Sequence, residues 1–469
     1  MERDMTTGRP GRILLNFTIP VFIGNVFQQF YSMVDTVIVG KFVGTKALAG
    51  VGATGTISFL IIGFLMGMTT GFTVLTSQRF GAGDMRGMRK TVGSAAILSV
   101  IVSVIMTIIS MAGMRSLLNL LNTPDDIFAD AYSYIMIICA GIFAQVLYNL
   151  LSSILRALGN SKTPLYFLIL SALLNIALDL LLIIVFHLGA AGAAYATVIS
   201  QGISGLLCLV YIWKKVPALK LTRDDWRFDW HVAKIQMKIG FPMAFQYSIT
   251  ALGSMMVQWA LNLLGSTAVA AFTAASKIEQ IVTQAYVALG TAIATYAAQN
   301  VGAGKVKRIR QGFNAGLLMG CAYAVVTGLF IAAFGKNLTP LFISEGLEEV
   351  MGYVDIYLKC VSAFFIPLVC VNLYRNGIQG LGYGLLPMTA GIAEMVGRGV
   401  TAVIAAGMHS YAGACMASPM AWVLAGSLLI GMYFYVMRQQ DRRFGTSTGS
   451  TQETMARITR RLPKFAGKK

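Results

Sequence analysis

Apolar residues run along this chain in stretches too long for the core helices or strands of a soluble domain. About twelve stretches reach the roughly 20 residues that a helix needs to cross a bilayer. They lie near 13–39, 47–77, 91–113, 131–155, 164–186, 190–213, 234–264, 267–299, 312–334, 351–374, 387–408 and 411–436. Each is continuous, where a barrel strand would alternate over about ten residues. Polar residues collect in short segments between them. The pattern predicts an all-α integral membrane protein.

The pattern also repeats. "SQRFGAGDMRGMRK" at 77–90 returns as "AQNVGAGKVKRIRQ" at 298–311, and "FVGTKALAGVGA" from Phe42 as "LLGSTAVAAFTA" from Leu263. "RALGNSKTP" at 156–164 returns as "QGLGYGLLP" at 379–387, and Pro20 as Pro242. The repeat predicts two pseudo-symmetric six-helix bundles around a central cavity. Six is even, so both halves enter the membrane in the same direction, related by an axis along its normal, with the substrate site between them. The expected divisions are an N-terminal lobe over 1–222, a C-terminal lobe over 223–440 and a basic, disordered tail over 441–469. Residues 214–233 form the longest polar linker.

Composition supports this reading. The chain is 56% hydrophobic and 12% charged, against about 25% charged in soluble domains, and its mean hydropathy is +0.69. A net charge of +18 raises the question of nucleic acid. Placing the N-terminus inside assigns 30 of the 37 Lys and Arg to one side and 4 to the other. That asymmetry is the positive-inside rule, so both termini are expected in the cytoplasm of a cell (inner or plasma) membrane, with no nucleic-acid partner. No cleavable leader is expected, because the first apolar run is too long for an h-region. The six cysteines fall in apolar runs without CxxC spacing and read as small hydrophobes. The three histidines are scattered, so no haem or metal cluster is built from them. The GAG segments lack a Lys-Ser or Lys-Thr partner and read as tight turns rather than phosphate cradles.

A carboxylate at the bilayer centre costs roughly 2.5–3.5 kcal/mol, so such residues usually face a bundle interior or a wet cavity. Asp35, Asp179, Glu279 and Glu394 sit deep in predicted spans, with Lys277 and Arg398 as central cations. Gln28, Tyr31 and Asp35 follow i, i+3, i+7 spacing, and Asn175 and Asp179 follow i, i+4; each set shares one helix face. Asn149 and Thr197 add an amide and a hydroxyl at usable depth. Two carboxylates in a low-dielectric pocket cannot both stay ionised cheaply, so the pair can hold a proton. The same oxygens at Asp35, Asn175, Asp179 and Thr197 also suit a hard cation such as sodium. A network that only glues helices is the plain alternative. The second half lacks the cluster: Asp35 maps to Val257, Tyr31 to Gly253, and Asn175 and Asp179 to Arg398 and Ala402. There Glu394 and Arg398 stand i, i+4 and are expected to pair. Pro20 removes a backbone hydrogen bond within the first span and is expected to soften it.

These segments together resemble the multidrug and toxic compound extrusion (MATE) family, in particular its DinF-like branch. The likeness rests on "ILLNFTIPVFIGNVFQQFYSMVDTVIVGKFVGTKALAGVG", "RALGNSKTP", "NIALD", "AASKIEQ" and the paired GAG loops, and it covers about residues 10–440. The resemblance implies a secondary transporter, not an enzyme, exporting organic and often cationic compounds in exchange for H+ or Na+ as two lobes rock. It implies ion coupling at Asp35, Asp179, Asn175 and Thr197, and cavity roles for Gln28, Tyr31 and Asn149. It also implies a bending Pro20 and a possible acidic contact at Glu279. A lipid-linked oligosaccharide flippase of the same superfamily is the alternative, though it would need more cavity cations than Lys277, Lys359 and Arg398. The expected partners are small amphipathic substrates and lipid. The expected state is a monomer without cofactor, leaving H+ against Na+ open.

Overall fold

The computed structural model describes residues 3–121, 123–341 and 347–445, and the rest of the expected tail lies outside them. Sixteen α-helices carry the fold among the described residues. In the first half α1 spans Pro10–Phe42 and α2 and α3 span Thr45–Ala53 and Gly55–Gly81. Next, α4 spans Met85–Leu120, α5 Asp125–Ala140, α6 Ile142–Ala157, α7 Lys162–Asp179 and α8 Gly189–Lys215. In the second half α9 spans Trp230–Leu264, α10 Ser266–Gly302, α11 Val306–Phe334 and α12 Leu347–Ser362. The last four are α13 over Phe365–Gly380, α14 over Leu385–Gly407, α15 over Tyr411–Cys415 and α16 over Ala417–Gly445. Helices are the natural outcome, because a chain in hydrocarbon must satisfy every backbone N–H and C=O within its own segment.

Among the described residues, nine segments are long and apolar enough to cross a membrane singly, and two bent pairs, α5–α6 and α12–α13, pass together. The bends are 49° and 52° and fall at matching places in the two halves. Helix α9 has the length for one further span but carries Lys234, Gln236, Lys238 and Gln246 along it. Broad apolar stripes remain exposed, such as Val104, Ile105, Ile108 and Ile109 on α4, as lipid-facing surface requires. Helix α16 runs on through Asp441 to Gly445, into the stretch where the tail was expected to start. There Asp441 pairs with Arg310.

The opening helix of each half crosses between lobes. Near its start α1 packs Leu14, Phe17 and Val21 into the core of the second half. Near its end Ile38 and Val39 pack with Ala190 and Ala193 of the first half. Helix α9 does the converse, with Ala233 and Ala244 in a first-half core and Val257 and Leu261 in the second-half core. Pro20 and Pro242 sit inside these helices, each within the stretch that makes the first attachment.

The basic ends of the lobes meet backbone to backbone. A Cβ on Gly81 would stand 2.0 Å from the Gln299 carbonyl oxygen, and one on Gly302 would stand 1.9 Å from that of Gln78. Gln78 Nε2 donates to the Gly380 carbonyl and Gln299 Nε2 to the Ala157 carbonyl, each at 3.0 Å. The GAG segments are therefore turns, with Gly83 and Gly304 at φ of 72° and 70°, and their first glycines also allow lobe contact. Residues ahead of α1 strap this seam. Arg3 N–H donates to Leu158, Met5 N–H to the Gln299 side chain, and Lys305 Nζ to the Thr6 carbonyl.

The linker is docked rather than loose. Two 3-10 turns, Pro217–Leu219 and Arg223–Trp226, lie against α4. The Asp225 carboxylate accepts from the Thr222 N–H and hydroxyl, both at 2.8 Å, and pairs with Arg89.

Candidate functional site

The face of α1 predicted to be polar opens onto a cavity of about 230 Å³ in the first half. Pro20, Gln28, Tyr31 and Asp35 line it from α1, Asn149 from α6 and Thr197 from α8. Asn175 and Asp179 stand behind that lining on α7, 1% and 0% exposed. Asp179 is the last residue of α7, where the helix widens into a π-helical turn over Leu180–Val185. Such turns recur at functional sites because they leave helix geometry locally open.

Asp35 and Asp179 stand in each other's electrostatic field. Asn175 Nδ2 donates to Thr197 Oγ1 at 3.4 Å, which points the amide oxygen the other way. Four buried oxygens then have no hydrogen-bond partner: Asp35 Oδ1, Asn175 Oδ1 and both Asp179 carboxylate oxygens. Buried polar groups are nearly always satisfied, and an unpaired buried charge is costly. A cluster of orphaned acceptors is suited to a positive guest. Tyr31 and Tyr134 stand in the electrostatic field of both carboxylates.

The second half shows what the same scaffold does without them. Val257, the counterpart of Asp35, is 4% exposed within an apolar core. Ala402, the counterpart of Asp179, is fully buried against Ala260 and Ala406. Where the first half has Tyr31, Gly253 leaves room for Arg398, whose Cδ would lie 3.4 Å from a Cβ there. Arg398 donates to Glu394 at 2.8 Å, as expected, and Arg375 of α13 completes a buried Arg–Glu–Arg group. Glu279 does not line the first-half cavity; it accepts from the Tyr357 hydroxyl of α12. Lys359 pairs with Asp355 one turn earlier.

Several cavity residues were not singled out from the sequence. Asn25 and Ser32 extend the Gln28–Asp35 face, Gln145 and Arg156 extend that of Asn149, and Gln201 lies one turn after Thr197. The same helical spacing rule, carried one turn further, would have found the four uncharged ones. Arg156 and Arg375 lie within α6 and α13, close to their ends.

The MatE family profile matches residues 20–181 and 242–404, one block in each half. The chain belongs to the MatE family. The probable multidrug resistance protein YpnP of Bacillus subtilis (strain 168) is 33% identical over 376 residues, covering 80% of this chain and 83% of that protein. YoeA of the same organism, also described as a probable multidrug resistance protein, is 26% identical over 437 residues, 91% of this chain and 94% of its own. Among solved structures, a MATE protein in complex with MaL6 superimposes with a TM-score of 0.89 at 22% identity, covering 94% of this chain and 99% of that one. The MatE match spans both halves, so this is a multi-pass membrane protein of a transporter family.

Proposed function

We propose that this MatE protein is a secondary efflux transporter that exports organic, often cationic, compounds in exchange for H+ or Na+. The orphaned oxygens of Asp35, Asn175 and Asp179 beside a polar cavity carry the reading. Ion binding neutralises the carboxylates, and substrate leaves as the first half repacks around Pro20. The closed basic ends fit an outward-facing state, with both termini in the cytoplasm, as the asymmetry of Lys and Arg supports. Coupling requires the ion to bind one lobe arrangement better than the other. The multidrug names of the Bacillus relatives support the substrate class.

The test is export of a fluorescent cation from proteoliposomes, driven by a pH gradient or a sodium gradient applied separately. Wild-type protein is expected to respond to at least one, and Asp35→Asn to neither while still folding and inserting. Full ion-driven export by Asp35→Asn overturns the proposal.

A further inference from the structure

Arg156 supplies a charge of the opposite sign in the same cavity. It sits in the last turn of α6, and its side chain lines the cavity together with Pro20 and Pro164. Its Nε is buried with no hydrogen-bond partner. Among the described residues no carboxylate forms an ion pair with it. The other deeply placed arginines, Arg375 and Arg398, are instead held by Glu394. The titratable groups in the field of Arg156 are the hydroxyls of Tyr148 and Tyr247 and the thiol of Cys208. Tyr247, which comes from α9 of the other half, lies in the field of Arg375 as well. Arg156 is half-buried in the cavity wall with its Nε enclosed and unpartnered, and a cation in a low-dielectric wall without a counter-charge is costly, so the site suits an anionic group that the protein does not itself provide.

The placement of the two charges sharpens this. Pro20 and Asp35 both line the cavity and are 15 residues apart on α1, about 22 Å at 1.5 Å per residue. Arg156 precedes Ala157 and Leu158, which meet Gln299 and Arg3 at the basic seam, so it lies toward that end of the cavity, whereas Asp35, far along α1 from its start at Pro10, lies toward the other. An elongated cavity with carboxylates at one end and a lone guanidinium at the other matches a molecule that is itself dipolar. We infer that Arg156 is an anion subsite, and that the cavity prefers zwitterionic or carboxylate-bearing amphipathic substrates over purely cationic ones. Arg suits the task because its planar fork takes a carboxylate in a bidentate fashion. The inference deepens the efflux reading and rests on it only for the direction of transport.

The experiment uses a matched pair of xanthene dyes, the free acid rhodamine 110 and its methyl ester rhodamine 123, which differ only in the carboxylate. Binding of each to the purified full chain is titrated by fluorescence anisotropy, and export of each is followed in proteoliposomes. The acid-to-ester affinity ratio is expected to fall about tenfold or more in Arg156→Gln, the loss typical of one charge-assisted hydrogen bond. Arg156→Lys is expected to fall between, since it keeps the charge and loses the fork; it also serves if the glutamine variant folds poorly. An unchanged ratio in both variants overturns the subsite, because a merely structural arginine would weaken both dyes alike. Failure of wild-type protein to export the ester under either gradient overturns the efflux reading instead, and leaves the binding ratio to decide the subsite.

Discussion

Thr197 distinguishes the two candidate driving ions at the level of a single atom. A proton needs only the Asp35 and Asp179 carboxylates, whereas sodium needs several neutral oxygens around them. Thr197 Oγ1 accepts from Nδ2 of Asn175, whose own Oδ1 is left without a partner. Thr197→Val keeps the shape and removes that oxygen. If sodium drives transport, its half-saturating concentration is expected to rise about tenfold, one ligand's worth at 1.4 kcal/mol. The pH dependence of proton-driven export should stay where it was. Equal effects on both gradients would show that Thr197 only steadies Asn175. The face carrying Gln28, Tyr31 and Asp35 was legible because helical periodicity is a property of sequence alone. Arg156 was not. A cation near a span end looks the same in sequence whether it faces water or a cavity, and only the packing of α6 against its neighbours separates the two.

At the scale of elements, the two halves share even their breaks, at Gly141 and at Ala363–Phe364. The apolar pattern ran straight through both places, since a bend within an apolar stretch leaves hydropathy unchanged. It likewise hid the π-turn after Asp179. The linker was legible as polar and basic, but not as docked. Its anchor is Asp225. Burial by itself pushes this carboxyl up, but the Thr222 N–H and hydroxyl, followed by Arg89 and Lys90, outweigh it and hold the group below its ordinary value of 3.8. A carboxyl held low in the folded state contributes stability that is complete above that value and is lost as pH falls through the lower folded one. Asp225→Asn should therefore cost about 1–3 kcal/mol near neutral pH, read as a lower melting temperature in detergent. The gap from wild type is expected to stay constant down to mildly acidic pH and to close below 3.8. A gap that persists into strong acid would show that the loop is held by something other than the ionised carboxylate.

For the whole molecule, the proposed rocking of the lobes would have to open the seam at the basic ends, and that seam is built from backbone contact. Gly81 and Gly302 stand against the carbonyls of Gln299 and Gln78 with no space for a methyl group. A seam of this kind has no soft side chain to yield, so a single added carbon must push the two lobe ends apart. The straps across it, Gln78 to Gly380, Gln299 to Ala157 and Met5 to Gln299, depend on the same close approach and lengthen with it. By contrast the outer halves of α1 and α9 are anchored in their own lobes and lie beyond Pro20 and Pro242, so they need not follow. The expected result of Gly302→Ala is thus a shift of the population toward the inward-open arrangement rather than unfolding. Spin labels at the exposed positions Arg86 and Lys307, in the first turns of α4 and α11 beside the seam, report it directly. Double electron–electron resonance should show a longer and broader distance distribution in Gly302→Ala than in wild type, and the same change in Gly81→Ala, since the two contacts mirror each other. A shift of about 1.4 kcal/mol would change the ratio of the two arrangements tenfold. An unaltered distribution in both variants would mean that the seam does not hold the lobes together, and that closure on this side depends on the first helices crossing between halves.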